Sequence, residues 1–152
     1  MTERSVVHST FTLEREYAAP PARVFAGFSN KEQKEKWFGD PAYPPAVWDF
    51  DFREGGREYT SGEFHGQNSI FDAVFHDIVP DERIVISYTM HFGDQKLSTS
   101  LQSLEFFATS TGTRLVLVEH GAYFDGNDKP GLREEGTRGL LEQLAAAVEG
   151  DR

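Results

Sequence analysis

The sequence predicts an α+β fold in which a strongly curved antiparallel sheet of about six or seven strands wraps around a long C-terminal helix. Three observations carry that prediction. Alternating apolar and polar runs fill the middle of the chain, with turn sequences between them roughly every ten residues. Two short helical patterns follow the first such run, and the final segment changes from a period of two to helical spacing.

Taken in order, FTLEREYA at 11–18 alternates and reads as the first strand. Pro20 and Pro21 then suit a helix start, because proline at the first helical position lacks only an amide proton that would have no partner there. PARVFAGFS puts Val24, Phe25 and Phe28 on one side of a short helix. NKEQKEKWF offers Asn30 as the N-cap of a second, ending near Trp37 and Phe38. The proline-rich GDPAYPP is a loop. In WDFDFREGGREY, Trp48, Phe50 and Phe52 share one face of a strand while Asp49, Asp51 and Arg53 share the other. Gly55 and Gly56 then form a hairpin into the next strand.

The runs AVWDFDFR, REYTSGEF, SIFDAVFHDIV, RIVISYTMHF, LSTSLQSLEFFA and TRLVLVEHGAYF, divided by GG, HGQN, PDE, GDQK and TSTG, describe an antiparallel meander. In KPGLREEGTRGLLEQLAAAVEG, Leu140, Leu141, Leu144 and Val148 recur at helical spacing, with Glu134, Glu135, Arg138, Glu142 and Glu149 opposite. No repeat, linker or low-complexity tract interrupts the chain, so residues 1–152 are expected to be one domain with its core at about 11–149.

Composition narrows the function. A chain of 152 residues is long enough to bury a substantial core. It has no cysteine, which excludes disulfides and thiolate metal sites and fits a reducing compartment. The net charge is -10 and the densest basic cluster, KEQKEK, is broken by glutamates, which argues against nucleic acid as a partner. No apolar run is long enough to span a bilayer and MTERSVVHSTF is unlike a signal peptide, so a soluble, cytoplasmic protein is expected. Thirteen phenylalanines, five tyrosines and two tryptophans, mostly inside the alternating runs, make the apolar face broad and ring-rich.

Metal and nucleophile motifs do not appear. His8, His65, His76, His91 and His120 show no HxH or HExxH spacing, and DGNDKPG lacks the later glycine and glutamate of a calcium loop. Nor is there a GxSxG, GxxxxGK[ST] or GxGxxG segment, so no cofactor or metal is expected.

Several motifs together resemble one family. EREYAAPPARVF, KEKWFG, FDFREGGREY, VPDERIVISY, GTRLVLVEHG and EEGTRGLLEQLAAAVE resemble, in uninterrupted order from about 11 to 149, the START-like (SRPBCC) superfamily and its branch of activator-of-heat-shock-chaperone-ATPase homologues. The resemblance implies the helix-grip fold and a cavity between sheet and long helix. The family usually has a tryptophan after the glycine of the last helix, where this chain has Thr137, which implies a roomier or more polar interior.

Within that fold, residue parity names the interior. Arg15 joins Phe11, Leu13 and Tyr17 in one inward row, and Trp48 and Phe50 form another with Phe52. Phe71 and Phe75, Tyr88 and Met90, Gln102 and Phe106, and Leu117 and Glu119 supply further rows. Tyr59, Thr137 and Leu141 complete the expected ligand contacts, with Trp37, Phe38 and Tyr43 beside the mouth. Arg15 and Glu119 are expected to approach each other across neighbouring strands, because buried charge is tolerated mainly when paired. Gly136 and Gly139 fit either close helix-to-sheet packing or a widened mouth. His76 and His120 have outward parity.

Magnitude constrains such a cavity. At about 24 cal/mol per Å³ a dry void of ~300 Å³ costs about 7 kcal/mol, comparable with the stability of a domain. The interior is therefore packed shut, or holds water or ligand against polar groups. The expected function is binding of a small apolar or amphipathic molecule, with Arg15, Gln102 and Glu119 as polar anchors. An enzyme of cyclase, dehydratase or hydrolase type using the same pocket is the alternative. A chaperone-cofactor role in the stress response, implied by the family name, ranks last. A homodimer would be ordinary for such a domain.

Overall fold

The computed structural model describes residues 4–149. Seven antiparallel strands run β1 Val6–Tyr17, β2 Val47–Phe50, β3 Arg57–Phe64, β4 Gln67–Val79, β5 Arg83–Phe92, β6 Gln95–Ala108 and β7 Thr113–Phe124. Helices α1 Pro21–Ser29 and α2 Lys31–Lys34 lie between β1 and β2, and α3 Pro130–Glu149 follows β7. The sheet order is β1-β7-β6-β5-β4-β3-β2, so β2 to β7 form the expected meander and β1 closes against the last strand.

Local chemistry explains the boundaries. Pro21 stands in the first turn of α1, and the Asn30 side chain accepts from the Gln33 amide at 3.1 Å to start α2. The second helix is shorter than its sequence pattern and gives way to turns that carry Trp37 and Phe38. The strand expected over 46–53 shortens to Val47–Phe50 because the chain turns at Asp51, whose carboxylate holds Arg53 at 2.9 Å. Gly55, at φ 83, makes the hairpin and donates to the Phe75 carbonyl at 2.8 Å, folding the turn onto β4.

Parity sorts the faces. On the inner face Phe11, Leu13, Ala73, Phe75, Leu104, Leu115 and Leu117 are all buried. α1 inserts Val24, Phe25 and Phe28 against this surface, and Phe106 meets Phe25 and Phe28 edge-on at 5.4 and 5.7 Å. This closes one end of the core. The buried residues of α3 are Thr137, Leu141, Leu144, Ala145 and Val148, so the helix presses on the sheet through its C-terminal two-thirds. In its first two turns Arg133 reaches the strands, bonding to Tyr88 on β5 and Ser98 on β6.

Candidate functional site

A cavity of about 700 Å³ lies between α3 and the sheet. Its floor is apolar and comes from alternate positions of neighbouring strands: Phe71 and Phe75 on β4, Tyr88 and Met90 on β5, and Leu117 on β7. Trp37, Phe38 and Trp48 build one wall, with Phe38 meeting Phe71 at 5.1 Å. Thr137, Leu140 and Leu141 form the roof. The mouth opens between the 39–46 loop, Glu63 at the end of β3, and α3 at Leu132 and Gly136. The Gln143 amide donates to the carbonyls of Trp37 and Gly39, which pins that loop to the helix.

Gly136 lines the cavity near its mouth. A Cβ built there meets nothing within 4 Å, and neither does one at Gly139, so close helix-to-sheet packing does not explain either glycine. Thr137 faces the cavity, and its hydroxyl donates to the Arg133 carbonyl at 2.8 Å, satisfying the polar atom within the helix.

At one end of the cavity a buried polar cluster joins β5, β6, β7 and α3. Glu119 is fully enclosed; it accepts from the Tyr88 hydroxyl at 2.7 Å and from the Gln102 amide at 2.9 Å. The Arg133 guanidinium stands 3.8 Å from Glu119 and donates to Tyr88 Oη at 3.1 Å, Ser98 Oγ at 2.8 Å and Asp128 Oδ2 at 2.8 Å. Burial and the neighbouring Glu119 charge push the Tyr88 phenol well above its ordinary range, so it stays a protonated donor. Burial works against the Arg133 charge, but Tyr88, Asp128 and Tyr123 outweigh it and raise its pKa.

A second buried pair lies across the cavity. Lys34 Nζ is 2.5 Å from Glu58 Oε1, and Trp48 Nε1 donates to Glu58 Oε2 at 2.9 Å. The ammonium also lies 4.4 Å from the Phe38 ring centre and 5.6 Å from that of Phe50. Both charges are almost fully removed from water, and each is the other's compensation.

The structure brings Trp37, Phe38, Trp48, Phe71, Phe75, Tyr88, Met90, Gln102, Leu117, Thr137 and Leu141 to the cavity wall. Glu119 sits behind that wall, enclosed by its partners. Phe50 and Phe106 are inward but pack within the core; Phe50 meets Phe75 at 5.9 Å.

Two expectations are corrected. Arg15 does not approach Glu119: the β1–β7 register sets Arg15 opposite Leu115 and Glu119 opposite Phe11. Its long stem instead passes the Tyr17 ring and carries the guanidinium to Glu142 on the flank of α3, with N–O distances of 2.7 and 3.0 Å. Tyr59 does not face the cavity either. It pairs with Asp49 and Asp72 on the outer face, since the inward positions of β3 are Glu58 and Thr60.

Arg133, Glu58 and Lys34 escaped the sequence reading, although signals for them exist. Arg133 precedes Thr137 by four and Leu141 by eight, the spacing of one helix face. His76 and His120 do lie outside, bonded to Ser87 and Thr10 at 2.7 Å each. Among the described residues no group of three or more His, Asp or Glu is placed to hold a metal ion. No described helix is long and apolar enough to cross a membrane.

A curved antiparallel sheet gripping a C-terminal helix, with a cavity between them, defines a helix-grip protein of the START-like class. The chain belongs to the family described as Activator of Hsp90 ATPase homolog 1-like protein, whose model matches residues 18–149. It is similar to an uncharacterized protein from Rhizobium leguminosarum, with 36% identity, a TM-score of 0.93, and coverage of 99% of this chain and 100% of that one. A protein from Rhizobium loti is 49% identical, with a TM-score of 0.87 over 95% of this chain and 99% of that one. A Chromobacterium violaceum protein is 30% identical, with a TM-score of 0.79 over 93% and 98% respectively. Among curated proteins none matches the chain.

Proposed function

We propose that the space between the sheet and α3 is a binding site for one small molecule with an apolar, ring-accommodating body and a polar group. The observation that carries this reading is the cavity itself: about 700 Å³, floored by aromatic and aliphatic side chains, with Tyr88, Gln102 and Arg133 at one end. Ligand sites typically have ~300–1,000 Å³ of mostly apolar lining and a few placed polar groups. The cavity opens through a mouth, so water enters it wherever a ligand does not. The space is therefore wet or filled.

Acid-base catalysis is less well supported. Glu119, the carboxylate best placed by burial to act as an acid or base, is enclosed by Tyr88, Gln102 and Arg133 and does not reach the cavity surface. Its geometry suits holding Tyr88 and Gln102 in place.

Native mass spectrometry of the purified protein, followed by extraction and identification of whatever leaves on denaturation, tests the binding proposal. A copurified small molecule with an apolar body is the expected result. A protein that carries nothing and gains no mass from a panel of apolar and amphipathic compounds would overturn it.

A further inference from the structure

Resting on the binding reading above, we infer that the cavity selects an uncharged ligand that offers a hydrogen-bond donor, and that it turns carboxylic acids away. Charge is the first ground. The cations that reach the cavity wall are Lys34 and Arg133, and both are already neutralised: Lys34 by Glu58 at 2.5 Å, Arg133 by Asp128 at 2.8 Å with Glu119 at 3.8 Å. Asp40 and Glu63 add two more carboxylates at the mouth. An entering anion would give up its hydration and meet no uncompensated positive charge, while lying near five carboxylates.

The second ground is the direction of the available hydrogen bonds. A carboxylate only accepts, so the Gln102 amide must turn Nε2 toward Glu119, which leaves Oε1 as an acceptor open to a ligand beside the second Nε2 proton. No hydrogen bond among the described residues reaches that oxygen, and Gln102 lines the cavity. Tyr88 cannot serve an anion in its place, since its hydroxyl already donates to Glu119 and accepts from Arg133. A ligand hydroxyl or N–H satisfies Gln102 Oε1; a carboxylate opposes it. Ligand cations are disfavoured for a different reason. Lys34 already lies over Phe38 and Arg133 over Tyr88, so a second cation would meet like charge at both of those ring faces, and the rest of the floor is apolar.

The test is a matched naphthalene series substituted at one ring position: naphthylmethanol, naphthoate and naphthylmethylammonium, titrated into the full chain at neutral pH. The alcohol is expected to bind about ten-fold or more tightly than the carboxylate. Asp128→Asn removes one of the charges on Arg133 from a half-buried position and should narrow that gap several-fold by improving naphthoate binding. Naphthoate or the ammonium binding as tightly as the alcohol would overturn the charge selection and leave the binding proposal standing. An unchanged gap in Asp128→Asn would overturn the electrostatic explanation. Failure of all three to bind would count against the cavity as a binding site, and the selection would fall with it.

Discussion

Arg133 ties the helix to the sheet at the polar end of the cavity, and its worth is set by what it leaves behind when removed. Arg133→Met strands the enclosed Glu119 without its cation, and breaking a buried pair from one side costs about 3–5 kcal/mol. The expected result is an unfolding free energy lower by roughly that amount in denaturant titration, recovered in large part by adding Glu119→Gln, which removes the unpaired charge. A double variant no more stable than Arg133→Met would show that Glu119 is not what Arg133 serves.

Tyrosine ionisation gives a second prediction at this scale. Burial, the largest cause in each case, raises the phenols of Tyr17, Tyr88 and Tyr123 above the ordinary value of 10.0. All states are protonated below that value, so the full stability is present there. Above it the unfolded chain loses phenolic protons that the folded chain keeps, and stability falls as pH rises toward the folded values. Stability measured by denaturant titration across the alkaline range should show this slope, shallower in Tyr88→Phe. A slope that Tyr88→Phe leaves unchanged would contradict the burial assigned to this phenol.

The residues that sequence could reveal at this scale are those fixed by strand parity. Gln102 and Glu119 follow from the same alternation that places Leu104 and Leu117, and both are inward. Arg15 shares that alternation, yet its long side chain escapes to Glu142, an outcome that depends on where α3 ends up. Lys34 and Glu58 were hidden because a charged pair looks like two solvated side chains until the tertiary fold brings α2 onto β3.

At the scale of elements, α3 decides whether the interior is closed or open. Its apolar period and its contact with the sheet were readable in Leu141, Leu144 and Val148. What the period did not show is that Leu132, which fits the pattern of an apolar helix position, is 60% exposed. Gly136, on the same helix, has open space around it. Gly136→Ala should therefore stabilise the protein by about 1 kcal/mol, the ordinary glycine penalty in a helix interior. Destabilisation on thermal melting would mean that the glycine is needed for packing after all. Strand boundaries were legible where turn chemistry is sharp, as in β3, β5 and β7. β2 was overread because the inward row runs on through Phe52, which packs on Phe25 at 5.9 Å, although its backbone has left the ladder.

For the whole molecule, fold and cavity have one origin. The sheet curves round a helix whose Leu144, Ala145 and Val148 are buried against it, while Thr137, Leu140 and Leu141 roof the cavity. Thr137 roofs the space, where the resemblance to the family leads one to expect tryptophan. The resemblance implies a roomier or more polar interior at this position; the cavity's extent depends also on the loop that Gln143 holds, which the sequence does not reveal.

The most direct measurement is calorimetric titration of naphthylmethanol into the wild-type chain and into Thr137→Trp, with thermal melting of both. Saturable binding to the wild type is expected, with loss of that binding in Thr137→Trp and a variant that melts no lower because the indole fills existing space. Equal binding by the two proteins would place the ligand elsewhere and contradict binding between the sheet and α3.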